Sequence, residues 1–154
     1  MRGPILLVED NEDDVFFLQR AMKNAGLNYP MVVATDGEQA IDYLSGAKEF
    51  SDRAQFPLPN LVLLDIKMPK VHGLDVLKWI RSESSLQTLV VIMLTTSHLE
   101  VDVDRAYRLG ANSFLVKTPA SEKLERMLRM VHDYWLQLNH PPPRSLTANG
   151  GQKQ

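Results

Sequence analysis

Residues 61–73 read LVLLDIKMPKVHG, and the order of residue types in this stretch decides the fold. The first four, 61–64, are apolar without interruption, which is typical of a strand buried on both faces of a sheet. Asp65 follows at once, and after Gly73 apolar residues recur at helical spacing. The stretch therefore predicts a strand, a polar loop and a helix, which is the repeating unit of a parallel α/β sheet.

The same alternation of apolar runs and helical segments occurs five times along the chain. Between the runs, apolar residues recur three and four positions apart, as amphipathic helices require. Continuous apolar strands joined by helices predict a parallel sheet that is covered on both faces, with right-handed crossovers. The predicted fold class is a doubly wound α/β sheet whose five strands cover residues 5–8, 31–34, 61–64, 89–94 and 114–116.

The length and composition predict one globular domain. The chain has 154 residues, of which 44% are hydrophobic and 23% are charged. Its net charge of −2 offers no positive field for nucleic acid, and it has no cysteine for a disulfide, a thiolate nucleophile or a Cys-based zinc site. Because it has neither a signal peptide nor a long apolar run, we expect a cytoplasmic protein that does not contact the membrane.

Two segments depart from the alternation. Residues 45–60 contain one Gly and two Pro and predict a loop longer than most connections between a helix and a strand. Three prolines at 141–143 stop the last helix, and the polar residues beyond them predict a disordered tail. The predicted organisation is one domain over residues 1–138, with an extended loop, followed by a tail over 139–154.

Polar side chains stand where the predicted strands end. Glu9 and Asp10 follow the first strand, Asp65 the third, Thr95 the fourth and Lys117 the fifth. In an open parallel sheet, ligands bind outside the carboxyl ends of the strands, so these side chains are expected to share one cleft. Taken singly, each has a simpler explanation, since a carboxylate after a strand is often a helix N-cap and a Lys there is usually solvated.

Taken together, the five side chains indicate phosphoryl chemistry at a metal site. Three converging carboxylates repel one another unless a cation lies between them, and oxygen ligands without His or Cys select Mg²⁺ or Mn²⁺. Mg²⁺ is commonly held by one or two carboxylates and completed by a phosphate oxygen. Lys117 and Thr95 supply a positive charge and a hydroxyl for the phosphoryl oxygens, and Asp65 is the best candidate for the nucleophile.

These residues resemble the receiver domain of two-component response regulators. The resemblance is carried by LVEDN at 7–11, by LLDIKMP at 63–69 with Gly73, by Thr95 and by Lys117, in this order. No single motif is decisive, but agreement at all four by chance is improbable. The similarity covers about residues 4 to 138 and implies a flavodoxin-like sheet of strand order 2-1-3-4-5, an order taken from the family.

The resemblance also implies the roles of the site residues. Family receivers take a phosphoryl group from the phosphohistidine of a sensor histidine kinase, catalyse the transfer to their own Asp and later lose the group by hydrolysis. Such a phosphorelay component is a self-modifying switch and not a conventional enzyme. The roles implied by position are phosphoacceptor for Asp65, phosphate binding for Thr95 and Lys117, metal binding for Glu9, Asp10, Asp65 and the backbone carbonyl of Lys67, and switching for Thr95 and Phe114.

The chain departs from the usual family pattern in three places. Lys67 and Ser97 stand two residues after Asp65 and Thr95, at variable positions that influence the attacking water. Thr118 separates Lys117 from the Pro that directly follows Lys in many receivers. We hypothesise that Lys67 contacts the phosphoryl oxygens or excludes water and so prolongs the modified state, which an unchanged phosphate lifetime in Lys67→Ala would contradict.

With only a short tail after the receiver, the output is expected to be partner binding. The last helix carries one apolar stripe that suffices for the core and a second beside it, which suggests a homodimer or target interface. The alternative is a wide core stripe. The long loop, the missing output domain and the aromatic end of the last helix resemble stand-alone regulators that partner phytochrome-type kinases. The two stripes are Leu124, Leu128, Val131 and Trp135, and Met127, Met130, Tyr134 and Leu138.

Three rival functions are weaker. A Mg²⁺-dependent hydrolase of the haloacid-dehalogenase type needs a second Asp two residues after the nucleophile, where this chain has Lys67. A flavodoxin-like FMN binder needs hydroxyls and backbone amides after the first strand, where this chain is strongly acidic. A pseudo-receiver that binds partners without phosphorylation would not need the intact set of Asp65, Thr95 and Lys117.

Overall fold

The computed structural model describes residues 3–143 and contains one sheet of five parallel strands. The strands lie in the order β2-β1-β3-β4-β5, so the predicted fold class and the strand order implied by the resemblance are both confirmed. Two of the predicted strand ranges differ by one residue at their ends. The strands are β1 (Ile5–Val8), β2 (Met31–Ala34), β3 (Leu61–Leu64), β4 (Val90–Thr95) and β5 (Ser113–Val116).

Within the described residues, five α-helices cover the two faces of the sheet. The first and fifth pack on one face, and the other three pack on the opposite face. The three central strands, β1, β3 and β4, are wholly buried between the two helix layers, whereas the edge strands β2 and β5 are mostly half-buried. The helices are α1 (Glu12–Asn24), α2 (Gly37–Ser45), α3 (Gly73–Ser82), α4 (Glu100–Arg108) and α5 (Ser121–Val131).

The strand register brings the ends of the central strands together. Val8 lies beside Leu64, Leu64 lies beside Met93, and Thr95 lies beside Val116. The residues that follow β1, β3 and β5 therefore emerge at the same edge of the sheet as the end of β4. Because all strands are parallel, this is the edge at which the sequence predicts the site.

The long segment 45–60 is packed against the domain. It contains a 3₁₀ turn, Lys48–Phe50, and Phe50 is buried with its ring 5.1 Å from that of Tyr43. The Arg53 guanidinium donates to the backbone carbonyl oxygens of Tyr43 and Leu44, both at 2.7 Å. These bonds add to the capping of the last turn of α2, where the Tyr43 carbonyl also accepts from the Gly46 N–H at 3.3 Å. Aromatic packing and one arginine hold this segment in place.

The last helix buries one of its two apolar stripes. Three residues of the first stripe are buried and the fourth, Trp135, is half-buried. After α5 the chain continues in a π-helical segment, His132–Leu138, and in the second stripe Met130, Tyr134 and Leu138 are exposed. Met127 of the second stripe is half-buried and packs against the core, so the buried face is wider than the first stripe alone, and the exposed part of the second stripe is Met130, Tyr134 and Leu138. The predicted tail lies outside the described residues from 144 onward, and within residues 3–143 no helix is long and apolar enough to cross a membrane.

Candidate functional site

The five strand-end side chains meet at one edge of the sheet. Glu9, Asp65 and Thr95 are buried, while Asp10 is exposed at the mouth of the cleft. The Lys117 side chain retains only 11% of its accessible surface. A cleft whose floor is made of buried charged groups is unusual, because a buried charge is costly unless it is paired. The pairing of these charges is therefore the main feature of the site.

Three carboxylates form a possible metal site. One oxygen each from Glu9, Asp10 and Asp65 lies within 4.8 Å of the others. Asp65 Oδ1 accepts a hydrogen bond of 2.8 Å from the backbone N–H of Ile66, and Glu9 Oε1 accepts one of 3.1 Å from the backbone N–H of Asn11. These bonds orient two of the three carboxylates. An all-oxygen set with several open positions suits Mg²⁺ or Mn²⁺, which keep several waters when bound.

Lys117 balances the negative charge of this cluster. Its ammonium donates to Glu9, to Asp14 Oδ2 at 3.0 Å and to Asp65 Oδ2 at 3.5 Å. Burial works to lower the pKa of Lys117, but the bond to Glu9 and the charges of Asp65 and Glu9 outweigh it and raise the pKa above its usual range. The side chain is therefore a fixed positive charge at neutral pH, beside the oxygen of Asp65 that the Ile66 N–H leaves free.

The ionised form of the buried Glu9 carboxyl is disfavoured by its surroundings. Its burial raises the pKa of the carboxyl above the ordinary value, and the Asp65 charge acts in the same direction, whereas the bonds from Lys117 and Asn11 partly offset both. A bound cation would stabilise the ionised Glu9 carboxylate, because an adjacent positive charge favours the ionised form. The chemistry of the donor set therefore fits the predicted metal.

Thr95 lies at the end of β4 and is buried. Thr95 Oγ1 accepts a long bond of 3.4 Å from the backbone N–H of Ser97. The Ser97 hydroxyl in turn donates to Asp102 Oδ2 at 2.5 Å, in the first turn of α4. Phe114 is half-buried in β5 beside Met93 and packs against the core under α2, α3 and α4. Thr95, Ser97 and Asp102 thus form a continuous chain of contacts from the site to α4.

The structure brings Glu9, Asp10, Asp65 and Lys117 into one cluster, and Thr95 ends the neighbouring strand β4, while the roles predicted for these side chains stay predictions. The Lys67 side chain is exposed, and the role of its backbone carbonyl as a metal ligand stays a prediction. One site residue was missed, namely Asp14, which contacts Lys117. The sequence offered only a weak signal, since Asp14 is the last of three consecutive acidic residues in α1 and the other two, Glu12 and Asp13, are exposed.

Gly73 places the start of α3 against Asp65. A Cβ atom at Gly73 would lie 1.9 Å from the carbonyl oxygen of Asp65, and the Gly73 N–H donates to the carbonyl oxygen of Ile66 at 2.8 Å. Only a residue without a side chain permits this approach of helix and strand end. The glycine of the sequence motif is therefore part of what positions Asp65.

Gly73→Ala is expected to destabilise the protein by about 3 kcal/mol, since backbone atoms would have to shift to relieve the contact. The free energy of unfolding in urea measures this loss. Gly26→Ala is a control: Gly26 has a φ of +70° but open space around its Cβ position, so the expected cost is only about 1 kcal/mol. Equal losses in the two variants would show that the contact with Asp65 does not matter.

The family profile of the response regulator receiver domain matches residues 5–129. The chain belongs to this receiver domain family. The match covers all five strands and most of the last helix of this receiver. The prediction that the chain is a response regulator is thereby confirmed, and the hydrolase and FMN-binding alternatives are set aside.

Individual relatives agree with the family assignment. This receiver is 38% identical over 138 residues to the probable methanogenesis regulatory protein FilR2 of Methanothrix harundinacea, covering 90% of this chain and 86% of that protein. It is 35% identical over 133 residues to the response regulator Rcp1 of Synechocystis sp., covering 86% of this chain and 88% of Rcp1.

Two solved structures share the fold along nearly their whole length. The phosphorylated cyanobacterial phytochrome response regulator RcpA superposes with a TM-score of 0.84 at 31% identity, covering 93% of this chain and 100% of RcpA. The Mn²⁺-bound form of Rcp1 superposes with a TM-score of 0.80 at 33% identity, covering 92% of this chain and 99% of Rcp1. Rcp1 holds Mn²⁺ in that structure, and the cluster of Glu9, Asp10 and Asp65 in this receiver has the all-oxygen donor set that suits the predicted Mg²⁺ or Mn²⁺.

Proposed function

We propose that this receiver is a phosphorylation-controlled switch in a phosphorelay. Asp65 accepts a phosphoryl group from the phosphohistidine of a sensor histidine kinase in a reaction that requires Mg²⁺. The modified protein then changes the surface that it offers to a partner or to a second copy of itself. The observation that carries this proposal is the placement of Asp65 Oδ2 at 3.5 Å from Lys117 Nζ, within the carboxylate cluster of Glu9 and Asp10.

The chain's own residues account for the transfer. The Ile66 N–H holds Asp65 Oδ1, so that Oδ2 is the oxygen available for attack. As the bond from Oδ2 to phosphorus forms, the bond from phosphorus to the imidazole nitrogen breaks, and the electron pair stays on that nitrogen. The Lys117 ammonium and the Thr95 hydroxyl stabilise the charge on the phosphoryl oxygens.

Glu9, Asp10 and Asp65 would hold the metal, with the carbonyl of Lys67 as a further ligand. When bound, the metal supplies positive charge that neutralises the phosphoryl oxygens. Loss of the group by hydrolysis uses the same site, so the protein acts on itself and is not a conventional enzyme. Lys67, exposed at the rim, is proposed to slow this hydrolysis.

The output of the switch is proposed to run through Thr95. To reach a phosphoryl oxygen, the Thr95 hydroxyl has to move toward Asp65, which alters its contact with the N–H of Ser97. Because Ser97 is bonded to Asp102, the movement is transmitted to the first turn of α4. Phe114, in the neighbouring strand β5, is proposed to change its packing together with Thr95.

A phytochrome-type histidine kinase is the proposed phosphodonor. The proposal is supported by the similarity to RcpA, which is named as a phytochrome response regulator. A partner kinase that draws on ATP would place this receiver in the cytoplasm, and the net charge of −2 argues against nucleic acid as a target.

We further propose residues 1–138 as the receiver unit with 139–154 as its tail. We also propose that the exposed Met130, Tyr134 and Leu138 are part of a homodimer interface.

The decisive experiment is incubation of the purified protein with acetyl phosphate in Mg²⁺. We expect intact-mass analysis to show one added phosphoryl group, and we expect no addition when EDTA replaces Mg²⁺. Acetyl phosphate tests the chemistry of the site without the kinase. An unmodified mass in excess Mg²⁺ would refute phosphoryl acceptance at this site.

The same samples test the proposed change in association state. Sedimentation velocity before and after phosphorylation should show a dimer whose fraction changes with modification. Addition of a phosphoryl group with a monomer in both samples would remove the homodimer and leave a different partner as the target.

A further inference from the structure

Lys117 has three carboxylate partners, and they differ in their relation to the metal site. Glu9 and Asp65 belong to the cluster that would hold the cation, whereas Asp14 does not. Asp14 Oδ2 lies 3.0 Å from Lys117 Nζ, closer than Asp65 Oδ2 at 3.5 Å. Asp14 is thus a near partner of the Lys117 ammonium, and a metal bound by the cluster would leave the Asp14 carboxylate unoccupied.

The position of Asp14 is well defined by its own helix. It lies in the first turn of α1, and its backbone N–H donates to the N-cap Asn11 Oδ1 at 3.0 Å. Its side chain is 36% exposed and lies at the wall of the cleft between α1 and the loop that joins β5 to α5. Asp14 therefore approaches Lys117 from a helix that packs on the sheet and against α5.

Metal binding changes the demands on Lys117. A cation held by Glu9 and Asp65 occupies oxygen lone pairs that otherwise accept from the ammonium, and it repels the ammonium as a like charge. Without a third partner, Lys117 would be free to leave the cleft before the phosphoryl group arrives. Asp14 lies outside this cluster, so its carboxylate still accepts from Nζ in that state and keeps Nζ near Asp65.

We propose that Asp14 is a positioning residue, which acts through Lys117 by holding its ammonium at the phosphoryl site after the metal has engaged Glu9 and Asp65. This inference rests on the proposed function, because it assumes metal-dependent phosphorylation of Asp65. Asp14 does not contact the phosphoryl group. It keeps in place the side chain that does.

The test is Asp14→Asn, which removes the charge at nearly constant size, with Asp13→Asn as the matched control. Asp13 lies in the same first turn of α1 but is exposed, so both variants lose one acidic charge near the helix start. Mg²⁺ affinity is measured by calorimetry, and the rate of phosphorylation is measured as a function of acetyl phosphate concentration.

Asp14→Asn should weaken Mg²⁺ binding about threefold. When Mg²⁺ takes Glu9 and Asp65 away from the Lys117 ammonium, that ammonium has no remaining carboxylate to which it can donate. The substitution should lower the saturating rate of phosphorylation about tenfold while the half-saturating acetyl phosphate concentration changes less than about twofold, since orientation is lost but the donor still binds. Asp13→Asn should match the wild type in all three quantities.

The same substitution in a second genetic background distinguishes positioning of Lys117 from a direct effect of the Asp14 charge on Mg²⁺ binding. In Lys117→Met, adding Asp14→Asn should leave the Mg²⁺ affinity within about 1.5-fold, because the residue through which Asp14 acts is gone. An equal effect of Asp14→Asn in both backgrounds, or no effect in the wild-type background, would overturn the inference. If the wild type itself neither binds Mg²⁺ nor takes up a phosphoryl group, the proposed function fails and this inference fails with it.

Discussion

Asp65→Asn is expected to abolish phosphorylation completely. The amide keeps the size of the side chain and can still accept the hydrogen bond of the Ile66 N–H, but its nitrogen and oxygen are not nucleophilic toward phosphorus. Neither Glu9 nor Asp14, the other carboxylates that contact Lys117, ends the central strand as Asp65 does. Intact-mass analysis after incubation with acetyl phosphate and Mg²⁺ should show no added phosphoryl group, against one in the wild type.

The stability of this variant distinguishes lost chemistry from lost folding. Lys117 keeps Glu9 and Asp14 as partners, and one of three mutually repelling carboxylates is removed, so the free energy of unfolding should change by less than about 1 kcal/mol. Asp104→Asn, at an exposed carboxylate of α4, is the control and should be phosphorylated normally. Phosphoryl addition to Asp65→Asn at the wild-type level would place the acceptor elsewhere.

Lys117→Met is expected to have the second-largest effect, because it changes both the reaction and the stability. The substitution keeps a long apolar stem and removes the ammonium. Loss of this charge from the phosphoryl site should lower the phosphorylation rate about 100-fold in Mg²⁺. Rates with acetyl phosphate measure this, and Lys78→Met, at an exposed position of α3, should behave as the wild type.

The same variant should lose about 3 kcal/mol of unfolding free energy in EDTA at neutral pH, since the buried Glu9 is left beside Asp65 without its counter-ion. Burial already raises the Glu9 pKa in the folded protein, and removal of Lys117 raises it further. A folded-state pKa above the unfolded one means that protonation favours folding. The loss should therefore shrink as the pH falls toward that raised pKa, and Mg²⁺ should recover part of it. A loss that grows on acidification would contradict this explanation.

The strands and the edge at which they end were predictable from local pattern. Continuous apolar runs such as 61–64, alternating with helical segments, are typical of buried strands in a parallel sheet. Parallel strands end at a common edge. The sequence therefore predicts that Glu9, Asp65 and Thr95 lie at one edge of the sheet, since each stands at a strand end. The strand order itself came from the family resemblance, because alternation alone does not specify which strands are neighbours.

The packing of residues 45–60 was not predictable in the same way. Their Gly and Pro content indicates a loop, but the contacts of Arg53 with the end of α2 depend on where the loop folds back. Side-chain bonds to backbone carbonyl groups leave no periodic trace in a sequence. The hydrogen bond between the Ser97 and Asp102 side chains, which joins the site to α4, was not predictable from the sequence for the same reason.

The amino-acid sequence by itself determined the class of fold and the set of reactive groups at the strand ends, because both follow from spacing along the chain. Only the tertiary structure decided which of the carboxylates the Lys117 ammonium contacts, and that Asp14 is one of them. Three consecutive acidic residues begin α1, and their side chains point in directions set by the helix and its packing, so the sequence does not single out the third. The physical reason is that ionic contacts depend on distances between elements far apart in the chain, and those distances exist only after the helices pack on the sheet.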